Sequence, residues 1–260
     1  MNRDLEVALK AARLGVSVIR SYMGTDFSIT EKGKNDLVTE ADIVTEKEII
    51  RYLLSEFPDD RILAEETESS HSLSNKRMWI IDPIDGTTNF AYRFPIFCVS
   101  VGLWKNGKPD IAVVIEVNRN EEFTAVAGKG AFLNGKRITV SSRKDPSSAL
   151  LGTGFPYNDM SLVDDYIRLF HELTKNVKGI RRPGAATYDL CCVADGRFDG
   201  FYEYALKAWD VGAAALIVQE AGGIVTDWEG GENWLFGQRI IAANPSIHRY
   251  LLKMIREFIG

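Results

Sequence analysis

The sequence contains few of the residues that build disulfide frameworks, zinc sites or basic binding surfaces. Its three cysteines and three histidines lack the spacing of a metal site, and the charge sum of 31 − 36 = −5 comes without a basic block. Direct binding of nucleic acid or of an anionic membrane is therefore not expected. No apolar run reaches the length of a membrane span, and the charged, amphipathic N-terminus is unlike a signal peptide. We predict a cytoplasmic protein with reduced core thiols at Cys98, Cys191 and Cys192.

Glycine-rich nucleotide loops are also missing from the sequence. The glycines of segment 150–156 fit neither a P-loop nor a dinucleotide-binding pattern, and the chain has no internal repeat or low-complexity segment. With 260 residues of ordinary globular composition, the chain is long enough for one large domain or two small ones.

The residues that can carry chemistry follow one apolar run at positions 79–81. This run leads into Asp82 and Pro83, which predicts a buried strand that ends abruptly, because proline offers no N–H to a sheet. Carboxylates suit Mg²⁺ or Mn²⁺, and glycine with hydroxyls can hold a phosphate group. An Asx-rich turn between a strand and a helix is the alternative interpretation. The chemical groups that follow are a second carboxylate, a glycine and two hydroxyls: Asp85, Gly86, Thr87 and Thr88.

Residues 82–90 resemble the signature of the inositol monophosphatase family of Mg²⁺-dependent, lithium-sensitive phosphatases. Segments 36–42, 65–66 and 209–223 resemble the other motifs of this family, in the family's order. The resemblance implies a layered αβαβα sandwich, usually a homodimer, with an antiparallel N-terminal sheet. It also implies an α+β half at residues 1–146 with most metal ligands and an α/β half at 147–260 that completes the site. Periodicity alone predicts only a mixed α/β protein with an antiparallel meander.

The pattern of apolar and turn residues predicts individual elements along the chain. Asn-Gly pairs at 106–107 and 134–135 indicate hairpins within a meander over 97–140. A loop or loose hairpin beside the site is predicted at 24–37, and a surface loop at 68–76. Helices are expected at 5–23, 39–57, 160–175, 188–194, 211–220 and 246–259, and further strands at 62–64, 150–156, 198–203 and 240–244.

Several acidic residues have a structural interpretation beside the catalytic one. Asp42 completes the Thr39-x-x-acid pattern of a helix start, whereas the resemblance gives it the role of orienting Thr87. Glu65 belongs to a Glu-Glu pair that fits a solvated turn or, by resemblance, a metal ligand beside its supporting residue. Asp210 opens a helix and suits the helix dipole, whereas the family uses the matching aspartate as a ligand of the second metal.

The resemblance also implies a complete set of site residues. Two or three Mg²⁺ ions are expected, with Mn²⁺ as an option. Glu65, Asp82 and the carbonyl of Ile84 would take the first ion, and Asp82, Asp85 and Asp210 the second. Thr87, polarised by Asp42 and assisted by Glu65, would help to deprotonate the attacking water. The residues expected at the substrate are Asp85, Gly86, Thr87, Thr88, Gly184, Ala186, Glu203 and Asp210, although Gly184 and Ala186 also suit close helix packing.

The implied activity is hydrolysis of a phosphate monoester, with myo-inositol 1-phosphate as the first choice of substrate. Glu203 favours a neutral polyol, because a carboxylate repels a second phosphate. Fructose 1,6-bisphosphate, NADP and 3′-phosphonucleotides are the alternatives, with Arg181 and Arg182 available for a second phosphate. A regulatory binding protein is the alternative of another class. The chain departs from the family's familiar bacterial form at Pro183 and Thr187, beside the expected polyol pocket.

Overall fold

A computed structural model describes residues 2–33, 36–67, 76–155, 157 and 159–259 of the chain. The surface loop predicted at 68–76 lies outside this described part, except for Lys76. A 3₁₀ turn occupies Pro146–Ser148, and the described α-helices are α1 (Arg3–Tyr22), α2 (Glu40–Glu56), α3 (Thr87–Ala91), α4 (Val163–Asn176), α5 (Ala186–Ala194), α6 (Ala208–Val211), α7 (Ala214–Glu220) and α8 (Pro245–Phe258). None of these helices has both the length and the apolar character of a membrane span.

The described strands form one hairpin and two larger sheets. The hairpin pairs β1 (Ile29–Gly33) with β2 (Asp36–Thr39). A seven-stranded sheet contains, in spatial order, β3 (Arg61–Ala64), β4 (Arg77–Asp85), β5 (Cys98–Lys105), β6 (Lys108–Glu116), β7 (Glu121–Val126), β8 (Gly130–Leu133) and β9 (Lys136–Ile138). A five-stranded sheet has the order β11-β10-β12-β14-β13, with β10 (Leu150–Thr153), β11 (Gly179–Arg181), β12 (Gly200–Tyr204), β13 (Ile224–Thr226) and β14 (Arg239–Ala243).

Three hydrophobic clusters alternate with the two large sheets. Trp79 and Ile81 of β4 face α1 and α2, whereas Met78 and Ile80 face a central cluster. This alternation follows from the two-residue period of a strand. The central cluster includes α5, α6, α7 and one face of the five-stranded sheet, and α4 and α8 cover the other face of that sheet. The layered αβαβα sandwich is therefore confirmed.

Several of these elements occur where local sequence signals predict them. Thr39 and Asp42 form the predicted capping box of α2, with hydrogen bonds in both directions. Both Asn-Gly pairs have positive φ angles at each residue, 53° and 75° at 106–107 and 48° and 77° at 134–135, as type I′ hairpin turns require. The predicted hairpin before α2 is present, and Cys98, Cys191 and Cys192 are buried free thiols, as expected.

Three predictions about strands and helices need correction. β4 does not end at Asp82 but continues to Asp85, with an irregular ladder around Pro83. β3 pairs with β4 in parallel, so the seven-stranded sheet is antiparallel only from β4 onward. The helix predicted at 211–220 is divided into α6 and α7 at Gly212, whose carbonyl accepts a hydrogen bond from Trp104 Nε1 at 2.8 Å. The division of the chain at residue 146 stays a prediction.

Candidate metal and phosphate site

Three carboxylates meet where the two halves of the sequence come together in space. Asp82, Asp85 and Asp210 each offer an oxygen within 4.8 Å of the others. In a regular strand, residues three apart point to opposite faces. The β4 ladder pairs Asp82 with Ser100 and Asp85 with Cys98, so β4 carries one extra residue here. This bulge removes the regular alternation, so that Asp82 and Asp85 can share one cluster.

Asp82 is the most electrostatically strained member of the cluster. Its side chain is 1% exposed, and its Oδ1 atom has no hydrogen-bond partner among the described residues. Burial and then the charges of Glu65, Asp85 and Asp210 raise its pKa well above the usual range. An unpartnered buried carboxylate oxygen among like charges suits a divalent cation, and the all-oxygen donor set fits Mg²⁺ or Mn²⁺.

Asp85 is held by the start of helix α5. Its Oδ2 atom accepts the backbone N–H of Thr187 at 2.6 Å, and the thiol of Cys98 lies 3.7 Å away. Burial raises the pKa of Asp85 to about 6, although these hydrogen bonds act in the opposite direction. The Thr187 hydroxyl also donates to the backbone oxygen of Asp210 at 2.9 Å. Thr187 therefore connects two of the three carboxylate residues.

Thr87 lies between the capping aspartate of α2 and the bulge of β4. Its Oγ1 atom is 2.9 Å from Asp42 Oδ1 and 2.9 Å from the carbonyl oxygen of Ile84. The other oxygen of Asp42 accepts the N–H and hydroxyl of Thr39 at 2.8 and 2.6 Å. Burial raises the pKa of Asp42 to about 6, and these hydrogen bonds partly offset the increase. Asp42 therefore caps α2 with one oxygen and contacts Thr87 with the other.

Glu65 reaches the site because β3 and β4 are parallel. Ala64 pairs with Ile81, so Glu65 leaves β3 beside Asp82. Glu65 is only partly buried, and its charge is the largest contribution after burial to the raised pKa of Asp82. Its neighbour Glu66 donates its backbone N–H to the buried Glu46 at 2.7 Å.

Asn89 joins the two loops that surround the Gly86–Thr88 stretch. Its side-chain amide donates to the carbonyl oxygens of Ile96 at 2.8 Å and Pro183 at 2.9 Å, and lies 3.3 Å from that of Gly184. Gly86 packs on the same segment, where a Cβ atom would lie 3.0 Å from the oxygen of Ile96 and 3.3 Å from that of Gly184. Gly86 and Gly184 both have positive φ, at 92° and 89°, which favours glycine.

A cavity of about 500 Å³ opens beside the cluster. The hairpin β1–β2 contributes to its wall, and Arg182 lies over the ring of Tyr157 at 5.2 Å. Arg182 lines the cavity, whereas the guanidinium of Arg181 bonds its neighbour's carbonyl, so Arg182 is the better candidate for a second anion. The lining residues are Glu31, Leu37, Glu65, Gly86, Thr87, Thr88, Tyr92, Tyr157, Arg182 and Gly184.

The structure brings nearly all of the predicted site residues into one region. Glu203 is the penultimate residue of β12, one position before the strand ends, and not its last residue as predicted. Burial and the charge of Asp210 raise the pKa of Glu203 to about 8, while Arg182 lowers it. Ala186 is the first residue of α5 and follows Ala185, which packs on Gly86.

Sequence reasoning missed the structural roles of Asn89 and Thr187. Asn89 lies inside the signature stretch, which indicates that it belongs to the site. The sequence does not predict how it joins two loops, because these contacts involve segments far apart in the sequence. The sequence indicates Thr187 only as a departure from the family pattern. Its contacts with Asp85 and Asp210 require the folded arrangement of three separate elements.

Comparison with known proteins identifies the class. The chain belongs to the inositol monophosphatase family, since the model of that family matches residues 1–259. A relative named Nus factor SuhB from Pseudomonas aeruginosa is 44% identical over 266 residues, covering 100% of this chain and 98% of the relative.

Solved structures agree with this assignment. The extragenic suppressor protein suhB from Bartonella henselae is 37% identical, with a TM-score of 0.93 over 99% of this chain and 100% of that one. An inositol monophosphatase from Anabaena is 36% identical, with a TM-score of 0.88 over 98% and 96% of the two chains. The relatives therefore include proteins named for an enzyme and proteins named for a Nus factor.

Proposed function

We propose that this protein is a Mg²⁺-dependent phosphatase that hydrolyses a phosphate monoester, with myo-inositol 1-phosphate as its first substrate. The observation that carries the proposal is the buried cluster of Asp82, Asp85 and Asp210 next to Gly86 and Thr87. Phosphate monoester hydrolysis is very slow without a catalyst, so the site must stabilise charge and align a water molecule. Membership of the inositol monophosphatase family supports the same activity.

The acidic residues fit the cations that the family generally uses. Glu65, Asp82 and the carbonyl of Ile84 would hold one Mg²⁺, and Asp82, Asp85 and Asp210 another. Bound Mg²⁺ supplies positive charge that stabilises the negative charge of the phosphate in the transition state and lowers the pKa of water. The unpartnered Oδ1 atom of Asp82 supports this assignment, because a buried anionic oxygen needs a partner.

Thr87 and Asp42 would manage the proton of the attacking water. Asp42 Oδ2 is already occupied by Thr39, so Asp42 Oδ1 is the oxygen that accepts the Thr87 hydroxyl. A hydroxyl that donates to Asp42 keeps its lone pairs for a hydrogen bond from water. Glu65, at the cavity wall, would assist as a second acceptor. This arrangement orients a water molecule and accepts its proton as the reaction proceeds.

The remaining predicted residues would bind the substrate. Backbone N–H groups at Gly86, Thr87 and Thr88 would bind the phosphate oxygens. The polyol would contact Gly184, Ala186 and Glu203, together with Asp85 and Asp210. An ionised carboxylate accepts hydrogen bonds from hydroxyl groups and repels a second phosphate, which favours inositol phosphate over fructose 1,6-bisphosphate or NADP. Mg²⁺ held by Asp85 and Asp210 would favour the ionised form of Glu203, because it would neutralise charges that raise the pKa of Glu203.

The experiment is phosphate release in Mg²⁺ from a panel of substrates, each with and without lithium. The panel contains myo-inositol 1-phosphate, fructose 1,6-bisphosphate, NADP and 3′-phosphoadenosine 5′-phosphate. Preference for inositol phosphate, with inhibition by lithium, is the expected result. Preference for a substrate with two phosphates would move the specificity role from Glu203 to Arg182. No release from any substrate, with Mg²⁺ bound, would refute the proposed activity.

A regulatory binding role is a second candidate, because the relative from Pseudomonas aeruginosa is named a Nus factor. Such a role can coexist with catalysis, since it need not use the metal site. Affinity capture with wild type and with Asp85→Asn would separate the two functions. A partner that both proteins retain would support a binding role that does not depend on catalysis.

We propose that the protein acts in the cytoplasm and forms a homodimer. Three buried free cysteines support a reducing compartment, because thiols persist there. Frequent dimerisation among inositol monophosphatases supports the oligomeric state. Light scattering of the purified protein would measure it directly.

A further inference from the structure

Gly154 lies against the carboxylate of Glu203. Gly154 directly follows β10, which runs parallel to β12 with Thr153 opposite Tyr202. A Cβ atom at Gly154 would overlap with Cδ and with both carboxylate oxygens of Glu203. The φ angle of Gly154 is not in the left-handed region, so the backbone itself does not require glycine. The need for glycine therefore comes from the position of the Glu203 side chain.

Hydrogen bonds to buried side chains hold the backbone at Gly154, so that it has little freedom to move away from Glu203. The hydroxyl of Tyr166 donates to the carbonyl oxygen of Gly154 at 3.1 Å. The Thr153 hydroxyl donates to the carbonyl oxygen of Tyr202 at 2.9 Å and lies 2.6 Å from the Tyr166 hydroxyl. Thr153 and Tyr166 are both fully buried. A side chain at Gly154 would consequently displace Glu203 and not the strand.

The charges around Glu203 determine where a displaced carboxylate would go. Asp85, Asp189 and Asp210 repel it, whereas Arg182 attracts it. Arg182 lies at the cavity wall beside Tyr157. Displacement would therefore move the carboxylate towards Arg182 and away from its present position.

We propose that Gly154 is a positioning residue whose missing side chain seats the Glu203 carboxylate and thereby sets selectivity for substrates with neutral hydroxyl groups. This inference rests on the proposed function, in which Glu203 binds the hydroxyls of the polyol. Gly154 itself touches neither the phosphate nor the proposed metal ligands in this scheme. Its effect should appear in the binding of the polyol and not in the phosphoryl chemistry.

The test compares Gly154→Ala with wild type on two substrates. One is myo-inositol 1-phosphate, and the other is p-nitrophenyl phosphate, which carries no polyol hydroxyls. We expect KM for inositol phosphate to rise about tenfold with kcat within a factor of two, because a charge-assisted hydrogen bond is lost. The kinetics with p-nitrophenyl phosphate should not change. Gly179→Ala is the matched control, since a Cβ there is 3.3 Å from the flexible end of Arg181 and 3.5 Å from Leu150.

A double variant distinguishes repositioning of Glu203 from general damage to the strand. Glu203→Ala should raise KM for inositol phosphate, and adding Gly154→Ala should cause no further increase, because the overlapping atoms are gone. Additive effects, equal losses on both substrates, or wild-type kinetics in Gly154→Ala would each overturn the inference. Thermal unfolding of every variant identifies one that fails to fold.

A crystal structure of Gly154→Ala decides the positioning claim independently of activity. The expected result is a displaced Glu203 carboxylate on an unchanged strand, and an unchanged carboxylate would overturn the inference. If wild type hydrolyses neither substrate, the proposed function fails, and the crystal structure still determines whether Gly154 seats Glu203.

Discussion

Removal of divalent cations should make the stability of this protein depend on pH in a defined direction. The pKa of Asp85 in the folded chain is about 6, against 3.8 for an ordinary aspartate, and burial is the main cause. Between these values the folded state binds more protons than the unfolded state. The unfolding free energy of the chelated protein should therefore decrease as pH rises from about 4 to about 6. Asp42, with a pKa of about 6, acts in the same direction, and Glu203, with a pKa of about 8, extends the decrease.

The magnitude follows from the shift in pKa. One pKa unit corresponds to about 1.36 kcal/mol, so the ionised carboxylate of Asp85 costs the chelated protein about 3 kcal/mol above pH 6. Mg²⁺ binds the ionised carboxylates, so its stabilisation should be greater at pH 8 than at pH 5. Mg²⁺ at a concentration of 100 times its Kd should raise the free energy of unfolding by about 2.7 kcal/mol. For a chain of this size that is a rise of about 5 °C in Tm.

The assay is thermal unfolding at pH 5 and pH 8, with EDTA or with Mg²⁺. Asp82→Asn should abolish the Mg²⁺ effect, and at pH 8 it should raise the Tm of the chelated protein, because asparagine requires neither a buried charge nor the uptake of a proton on folding. Asp227→Asn is a control at a buried aspartate that accepts backbone N–H groups outside the cluster, and it should keep the Mg²⁺ effect. An equal Mg²⁺ effect at both pH values would refute this electrostatic account.

Four further substitutions test individual contacts. Asp85→Asn should abolish turnover at saturating Mg²⁺ with an unchanged circular dichroism spectrum, and wild-type rates would contradict the ligand assignment. Thr87→Val should lower kcat at least about 100-fold while Thr87→Ser retains most of it, because only the hydroxyl contacts Asp42. Thr187→Val should weaken Mg²⁺ binding about tenfold by calorimetry, since it removes a bond that positions Asp210. Asn89→Ala should lower the unfolding free energy by about 2 kcal/mol in urea, because it leaves two partly buried carbonyls without their donor; no change would exclude its loop-joining role.

Sequence patterns predicted those parts of the fold that depend on neighbours along the chain. The capping box at Thr39 and the Asn-Gly turns of the meander are local signals, because each is complete within four residues. The amphipathic period of α1 and the alternation of β4 likewise follow from the burial of one face. The motifs of the family, in their order along the chain, predicted the acidic residues of the cluster. Each of these motifs lies at the end or the start of a strand or helix.

Features that depend on distant residues could not be predicted in the same way. The extra residue of β4 is defined by its pairing with β5, which the sequence of β4 alone does not contain. The break between α6 and α7 leaves the carbonyl of Gly212 for Trp104, more than one hundred residues earlier in the chain. The apolar run across the break looked like one helix because both halves are buried. Such features require knowledge of which elements meet.

The acidic residues of the site also explain why structural and catalytic interpretations were both reasonable from the sequence. A carboxylate has two oxygens, and Asp42 uses Oδ2 for the start of α2 and Oδ1 for Thr87. Asp210 likewise accepts the N–H of Lys207 in a capping arrangement while it belongs to the three-carboxylate cluster. At Asp42 the helix start fixes the side chain, and the second oxygen is thereby directed at Thr87. A capping signal in this chain is therefore the means by which a site carboxylate is positioned, and it does not argue against a role in the chemistry.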